Sequence, residues 1–180
     1  QRVNCGGGDY VDTDGHLWSA DRTFTIGSWG FVGGSQRAMS SPIAGTEDDF
    51  LYQRERYWLS SAVPGYKFTV PDGYYEVTLK FSETLWSSAN RRLFSVRLEG
   101  ATALSYFDIY AVAGGNYRAA PDQVFTIAVS DGQLDIDFVR LAGFDNPKVN
   151  ALVVRWIGPL AEATETPTPT TEPSAAWTAQ

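Results

Sequence analysis

One cysteine, one histidine and one methionine among 180 residues close off several chemistries before any pattern is read. Cys5 alone excludes an intramolecular disulfide and a cysteine-based zinc cluster, so it reads as a small buried strand residue and says nothing of redox compartment. His16 has no second histidine, cysteine pair or marked nucleophile near it, which leaves it a structural or surface role. Long apolar runs are missing as well: none approaches the ~20 residues needed to span a bilayer. The chain opens at Gln1 in folded-looking sequence with no basic and apolar leader, so the expectation is a secreted protein whose signal peptide was removed or lies outside the sequence. Clusters of lysine and arginine are absent too. With a formal net charge of -7, a phosphate backbone would be repelled, and nucleic acid is not an expected partner.

What is present is strand pattern. Pro71-Asp72-Gly73 marks a turn, after which Tyr75, Val77, Leu79 and Phe81 alternate with Glu76, Thr78, Lys80 and Ser82, the period of a half-buried strand. In Leu93 to Glu99, Phe94, Val96 and Leu98 share one face, and Gly100 ends the run. Further strands are predicted at 66–70, 103–109, 124–129, 133–139 and 149–157, with Ser130-Asp131-Gly132 joining two of them tightly. No amphipathic helix is readable. Short strands with regular turns and one wet face each predict an all-β fold, a two-sheet antiparallel β-sandwich of jelly-roll, galactose-binding-like type with binding loops at one end. Phe81, Val96, Ile127, Ile136, Phe138 and Val153 are expected between the sheets.

Two domain segments follow from composition. Residues 1–158 form the sandwich, and residues 159–180 read as a Pro/Thr-rich linker or tail. Its core, Thr164 to Ser174, has no hydrophobic period and cannot bury a core. Such tracts act as semi-stiff spacers between modules, so a covalently linked partner module is expected downstream of a sandwich that is itself a monomer.

The stretch Leu51-Tyr52-Gln53-Arg54-Glu55-Arg56-Tyr57-Trp58 interleaves aromatics with charges and fits no amphipathic template. It reads either as a binding surface or as a strand end anchored in the core. Aromatics also stand beside turn residues at Trp29, in Glu83-Thr84-Leu85-Trp86 and in Gly143-Phe144-Asp145-Asn146, where a rigid sheet would hold them on loops. Sugar binding needs this set, because rings cover the C–H faces of a pyranose and a carboxylate bonds its hydroxyl rim. Trp29, Tyr57, Trp86, Phe144 and Asp145 are the candidate ligand-binding residues, and Trp58 could serve either the site or the core. Tyr52, Trp18 and Trp156 are assigned to packing, and Glu83 is expected to pair with Arg54 or Arg56.

Catalysis would need two opposed carboxylates about 5 to 9.5 Å apart. Glu55, Glu83, Asp108 and Asp145 are available, yet no local signature separates an acid from a nucleophile, so no catalytic residue is assigned. The glycine triplet Gly6-Gly7-Gly8 lacks the Lys-Ser/Thr of a phosphate-binding loop. Asp12-x-Asp14-Gly15 admits a structural calcium ion, but no glutamate closes a twelve-residue loop and the pair also makes a plain turn; no cofactor is otherwise expected.

Several motifs together resemble the malectin domain family over Arg2 to about Gly158: Val3-Asn4-Cys5-Gly6-Gly7, Leu51 to Tyr57, Tyr75 to Glu83, Phe94-Ser95-Val96, Phe107-Asp108-Ile109 and Asp145-Asn146-Pro147-Lys148-Val149. The resemblance implies a carbohydrate-binding module in which an end pocket holds a glucose disaccharide between aromatics and an aspartate. By motif position those roles fall on Tyr57, Trp86 and Asp145. Ser28-Trp29-Gly30 stands where the family shows Asp-Tyr-Gly, so Trp29 is expected in place of a stacking tyrosine, and Leu85 occupies an aromatic position of the animal protein. The implied partner is a glucose-containing oligo- or polysaccharide, and the implied role is to hold an attached extracellular glycoside hydrolase on its substrate. Two other functions compete: a protein- or peptide-interaction module, as in plant receptors, and a glycoside hydrolase in its own right.

Overall fold

The computed structural model describes residues 1–59 and 65–160. The linker reading of 159–180 therefore falls largely outside the described residues. In chain order the strands are β1 (Arg2–Asn4), β2 (Tyr10–Val11), β3 (Leu17–Ala20), β4 (Trp29–Val32), β5 (Ser35–Ala38), β6 (Arg54–Tyr57), β7 (Gly65–Thr69) and β8 (Gly73–Lys80). They continue as β9 (Ser82–Glu83), β10 (Leu93–Leu98), β11 (Ala101–Asp108), β12 (Arg118–Ala119), β13 (Gln123–Val129), β14 (Gln133–Arg140), β15 (Lys148–Val149) and β16 (Ala151–Gly158). Two short helices, α1 (Asp49–Tyr52) and α2 (Ile109–Ala113), interrupt them.

The strands form a β-sandwich. One sheet has the order β13-β8-β16-β1-β3-β2 and the other β11-β10-β14-β7-β4. Pairing is antiparallel except that β1 runs parallel to β3, Val3 facing Ser19. Strict alternation fixes which side chains enter the core: β8 buries Tyr75, Val77 and Leu79, and β14 buries Leu134, Ile136 and Phe138. A one-residue slip would turn each of these sets to water, which is why the register is firmly specified. Phe81, Phe94 and Phe107 form one aromatic cluster between the layers, with centroids 5.0 to 5.9 Å apart. Of the expected core residues, Phe81, Val96, Ile136 and Phe138 are fully buried, and Ile127 packs against them at partial burial. Val153 belongs instead to a second cluster with Trp18, Leu51 and Tyr52 on the outer side of the first sheet.

Trp156 departs from its packing assignment. It is 54% exposed: it is the last residue of β16 in regular register with β8, opposite Tyr75, before the pairing shifts between Trp156 and Gly158, and its indole lies against Gly73. The stretch from Leu51 to Tyr57 is likewise neither plain strand nor plain loop. It begins in α1, turns at Gln53 and continues as β6, pinned by the fully buried Asn150 amide, which donates to the carbonyls of Tyr52 (2.9 Å) and Arg54 (2.7 Å). Gly6 holds φ +75°, and a Cβ there would collide with the Glu55 carbonyl, so the glycine triplet serves close backbone packing onto β6.

Candidate functional site

A small third sheet, β15-β6-β5, caps one end of the sandwich and supplies one wall of the site. Tyr57 faces Ser35 on one side and Lys148 on the other, and Arg37 faces Glu55. Glu55 and Lys148 are buried and joined at 2.5 Å between Oε2 and Nζ, while the Arg37 guanidinium, more exposed, lies 4.0 Å from the other carboxylate oxygen. A buried charge is tolerated only when paired in this way.

The opposite wall is organised by Glu83. Its Oε1 accepts the backbone N–H groups of Thr84, Leu85 and Trp86 at 3.0, 2.9 and 3.2 Å, and Oε2 takes Nε of Arg92 at 2.8 Å. Burial pushes the Glu83 carboxyl up, but the charges of Lys148 and Arg92 and these hydrogen bonds outweigh it and hold the group below its ordinary value. The carboxylate thus folds the loop that presents Leu85 and Trp86. Arg92, itself buried, donates from Nη1 to the Asn146 carbonyl and meets Asp145 Oδ2 from Nη2 at 3.0 Å. The same Oδ2 accepts the Trp86 indole N–H at 2.7 Å, and Oδ1 accepts the Asn146 N–H at 2.8 Å. A carboxylate offers about four lone-pair sites; three are engaged, and one remains for a group in the hollow.

That hollow, of about 280 Å³, is lined by Tyr57, Leu59, Leu85, Asp145, Asn146, Arg37, Glu55 and Arg92. Its size is at the low end for small-ligand pockets and suits one or two sugar rings. Across Asp145 lies a second hollow of about 360 Å³, lined by Trp86, Phe144, Arg91, Arg140, Asn90 and Gly143. Four of the six predicted residues, Tyr57, Trp86, Phe144 and Asp145, therefore gather at one end.

Two do not. Trp58 is 2% exposed, stacks on Phe138 at 4.6 Å and donates its indole N–H to the Val32 carbonyl at 3.0 Å; it is core, the residue just past β6 turning inward while its backbone N–H bonds the Pro147 carbonyl. Trp29 lies elsewhere. It is registered with Phe68 and, through β7, with Leu134, six residues from the Arg140 end of β14, or about 20 Å at ~3.3 Å per residue. There it stacks on Phe68 at 6.0 Å beneath the Arg22 guanidinium, so it does not stand in for a stacking tyrosine of this site.

The other carboxylates also have partners. Glu83 pairs with Arg92 rather than with Arg54 or Arg56; Arg56 is taken by Asp21 at 2.6 Å. Asp108 caps α2 through the Ala111 N–H and accepts the Asn90 N–H at 2.6 Å. The Asp12 loop is a turn: Asp12 oxygens accept the N–H groups of Asp14, His16 and the Trp18 indole, and among the described residues no group of three His, Cys, Asp or Glu side chains could hold a metal ion. Sequence reasoning missed Arg37 and Arg92. The signal for Arg37 was its place two residues past Ser35 on a strand opposite Glu55, legible only once the strands are paired; Arg92 in Asn90-Arg91-Arg92 carries no local signal.

An end-loop hollow on a two-sheet β-sandwich, with a tyrosine ring and an oriented aspartate in its wall, defines a binding module of the carbohydrate-recognition class. The family model of the malectin domain matches residues 1–152, and the chain belongs to that family of carbohydrate-binding domains. It is 32% identical over 169 residues to Malectin-A of Xenopus laevis and 31% identical to human Malectin, in each case across 84% of this chain. It spans little more than half of those relatives, 58% and 54% of their lengths. Among solved structures, a calcium-binding mutant of Bacteroides uniformis β-glucuronidase 2 superposes with TM-score 0.75 at 24% identity, over 87% of this chain and 18% of that one. The ANXUR2 extracellular domain of Arabidopsis thaliana gives TM-score 0.71 at 19% identity, over 88% and 49%. At these identities the likeness is one of fold. No described helix is long and apolar enough to cross a membrane.

Proposed function

We propose that the chain is a non-catalytic module that binds glucose-containing oligo- or polysaccharide in the hollow between Tyr57, Leu85 and Asp145. The observation that carries this reading is the Asp145 carboxylate in the wall of the hollow, fixed by Trp86, Arg92 and the Asn146 N–H near a partly exposed tyrosine, with one acceptor site not taken by these partners. A ring face on Tyr57 and Leu85 and a hydroxyl on Asp145 would meet both halves of a pyranose. The module acts outside the cytoplasm as a monomer, joined through its Pro/Thr-rich segment to an extracellular glycoside hydrolase. A fold of this kind within the chain of a bacterial glycosidase supports that arrangement. Tethering raises the local concentration of catalyst at the polymer even when the module's own affinity is only micromolar to millimolar, about -8 to -4 kcal/mol.

Affinity electrophoresis in gels containing starch, laminarin, lichenan or xyloglucan tests the reading. Retention by at least one glucan, lost in Tyr57→Ala and Asp145→Ala with the fold intact, is the expected result. Free migration in every gel would overturn it, and release of reducing sugar abolished by Asp145→Asn would replace it with hydrolysis.

A further inference from the structure

Arg91 and Arg140 face the second hollow, and neither has an ion-pair partner among the described residues. In a chain of 21 acidic and 14 basic residues, Arg37, Arg56, Lys67, Lys80, Arg92, Lys148 and Arg155 meet carboxylates; Arg91 and Arg140 stand outside that set and line one hollow together. Both arginines are exposed but not loose. The Arg91 guanidinium lies 4.4 Å from the centroid of the Trp86 ring, and Arg140 Nη2 reaches toward the Phe144 carbonyl at 3.5 Å. The carboxylate that shares the hollow with them, Asp145, is engaged by Arg92 and the Trp86 indole. The second hollow touches the first along Asp145, so one oligosaccharide could occupy both.

We propose that Arg91 and Arg140 form an anion subsite that takes the carboxylate of a uronic acid residue, in an oligosaccharide whose neutral neighbour sits between Tyr57 and Asp145. The inference rests on the carbohydrate reading given above and names its ligand class. The guanidinium is a planar fork of N–H donors that fits a carboxylate through two parallel hydrogen bonds. Trp86 holds that fork at the mouth of the hollow and offers the sugar ring an aromatic edge. The one carboxylate in the wall of this hollow, Asp145, is already paired with Arg92, so Arg91 and Arg140 leave a local positive excess that would steer an acidic saccharide.

The test compares saccharides of one length: cellotetraose, a tetrasaccharide of alternating glucose and glucuronic acid, and an O-sulfated cellotetraose, titrated at 50 and 500 mM NaCl. Proteins are the wild type, the Arg91→Ala/Arg140→Ala double variant, and Arg97→Ala as a surface-charge control, each checked for an unchanged melting temperature. The expected result is that the uronic tetrasaccharide binds about three- to tenfold more tightly than cellotetraose at low salt. That advantage should shrink at high salt and vanish in the double variant, while cellotetraose binding and the control stay at wild-type values. An advantage that is absent in the wild type, or survives in the double variant, overturns the subsite but leaves neutral binding standing. Preference for the sulfated over the uronic ligand overturns its assignment to uronate. Failure to bind any of the three overturns the subsite, and joined to free migration in every glucan gel it overturns the neutral reading as well.

Discussion

Arg92 Nη2 lies 3.0 Å from Asp145 Oδ2 although the two residues are 53 positions apart in sequence and on different walls of the site. The contact ties the loop folded by Glu83 to the loop that carries Asp145, so the geometry of the hollow depends on a residue that need not touch a ligand.

Arg92→Ala should therefore damage both fold and site. It leaves Glu83 buried without its nearest cation, and breaking a buried pair in this way costs about 3–5 kcal/mol, readable as a lower midpoint in urea unfolding. Arg92→Lys keeps the charge but loses the fork that reaches Glu83, Asn146 and Asp145 at once; it should recover part of the stability while glucan retention stays weak. Equal recovery of both would show that Arg92 acts as a charge alone.

Acid should destabilise the chain through Glu83. Its folded value is depressed below the ordinary 4.5, so the unfolded state takes up its proton first as the pH falls. The stabilisation is complete above about pH 4.5, and it declines as the pH drops from there through the depressed value. Unfolding midpoints measured between pH 7 and pH 3 should fall less steeply in Glu83→Gln, which starts lower and has no proton to take up at that position.

The Glu55–Lys148 pair separates stability from recognition. Lys148→Ala strands a buried carboxylate and should cost about 3–5 kcal/mol, whereas Glu55→Leu with Lys148→Met removes both charges of the pair and should cost less, what remains being the support that Lys148 lends to Glu83. Because Glu55 also lines the first hollow, the double variant should melt above Lys148→Ala yet bind saccharide less well than wild type. Wild-type binding by that variant would remove Glu55 from the recognition surface.

Tyr57 at the end of β6 and Trp58 just after it should behave oppositely. Trp58→Ala empties a core position and should lose about 3–5 kcal/mol. Gly34→Ala should lose less, about 1–3 kcal/mol, because φ there is +79° and a Cβ would meet the Trp58 indole nitrogen at 2.7 Å and the Tyr57 carbonyl at 2.8 Å. Tyr57→Ala should change stability little and abolish glucan retention. Trp29→Ala, about 20 Å away along the sheet, should leave retention intact, and a loss would place Trp29 in the site after all.

Local periodicity carried most of the fold. The alternation of Tyr75, Val77 and Leu79, or of Phe94, Val96 and Leu98, reads the same in the sequence as in the sheets, since a half-buried strand writes its burial into every second residue. Tyr57 and Asp145 were singled out by motif position in the resemblance to the malectin family, and both line the first hollow. Trp29 misled because an aromatic beside a glycine looks alike at either end of a sandwich. Trp58 stayed ambiguous because only the pairing of β6 with β5 and β15 decides which side faces the layers.

The sequence by itself determined the class of the fold, the alternating core, the lack of a disulfide, and a set of loop aromatics and acids suited to sugar, all of which depend on residue type and short-range spacing. Only the tertiary structure decided which of those residues share one end, that Arg92 and Lys148 hold the carboxylates there, and that Arg91 and Arg140 face a hollow with no ion-pair partner among the described residues. Charge pairing and the meeting of loops depend on distances across the chain, and nothing in a local window of sequence encodes them.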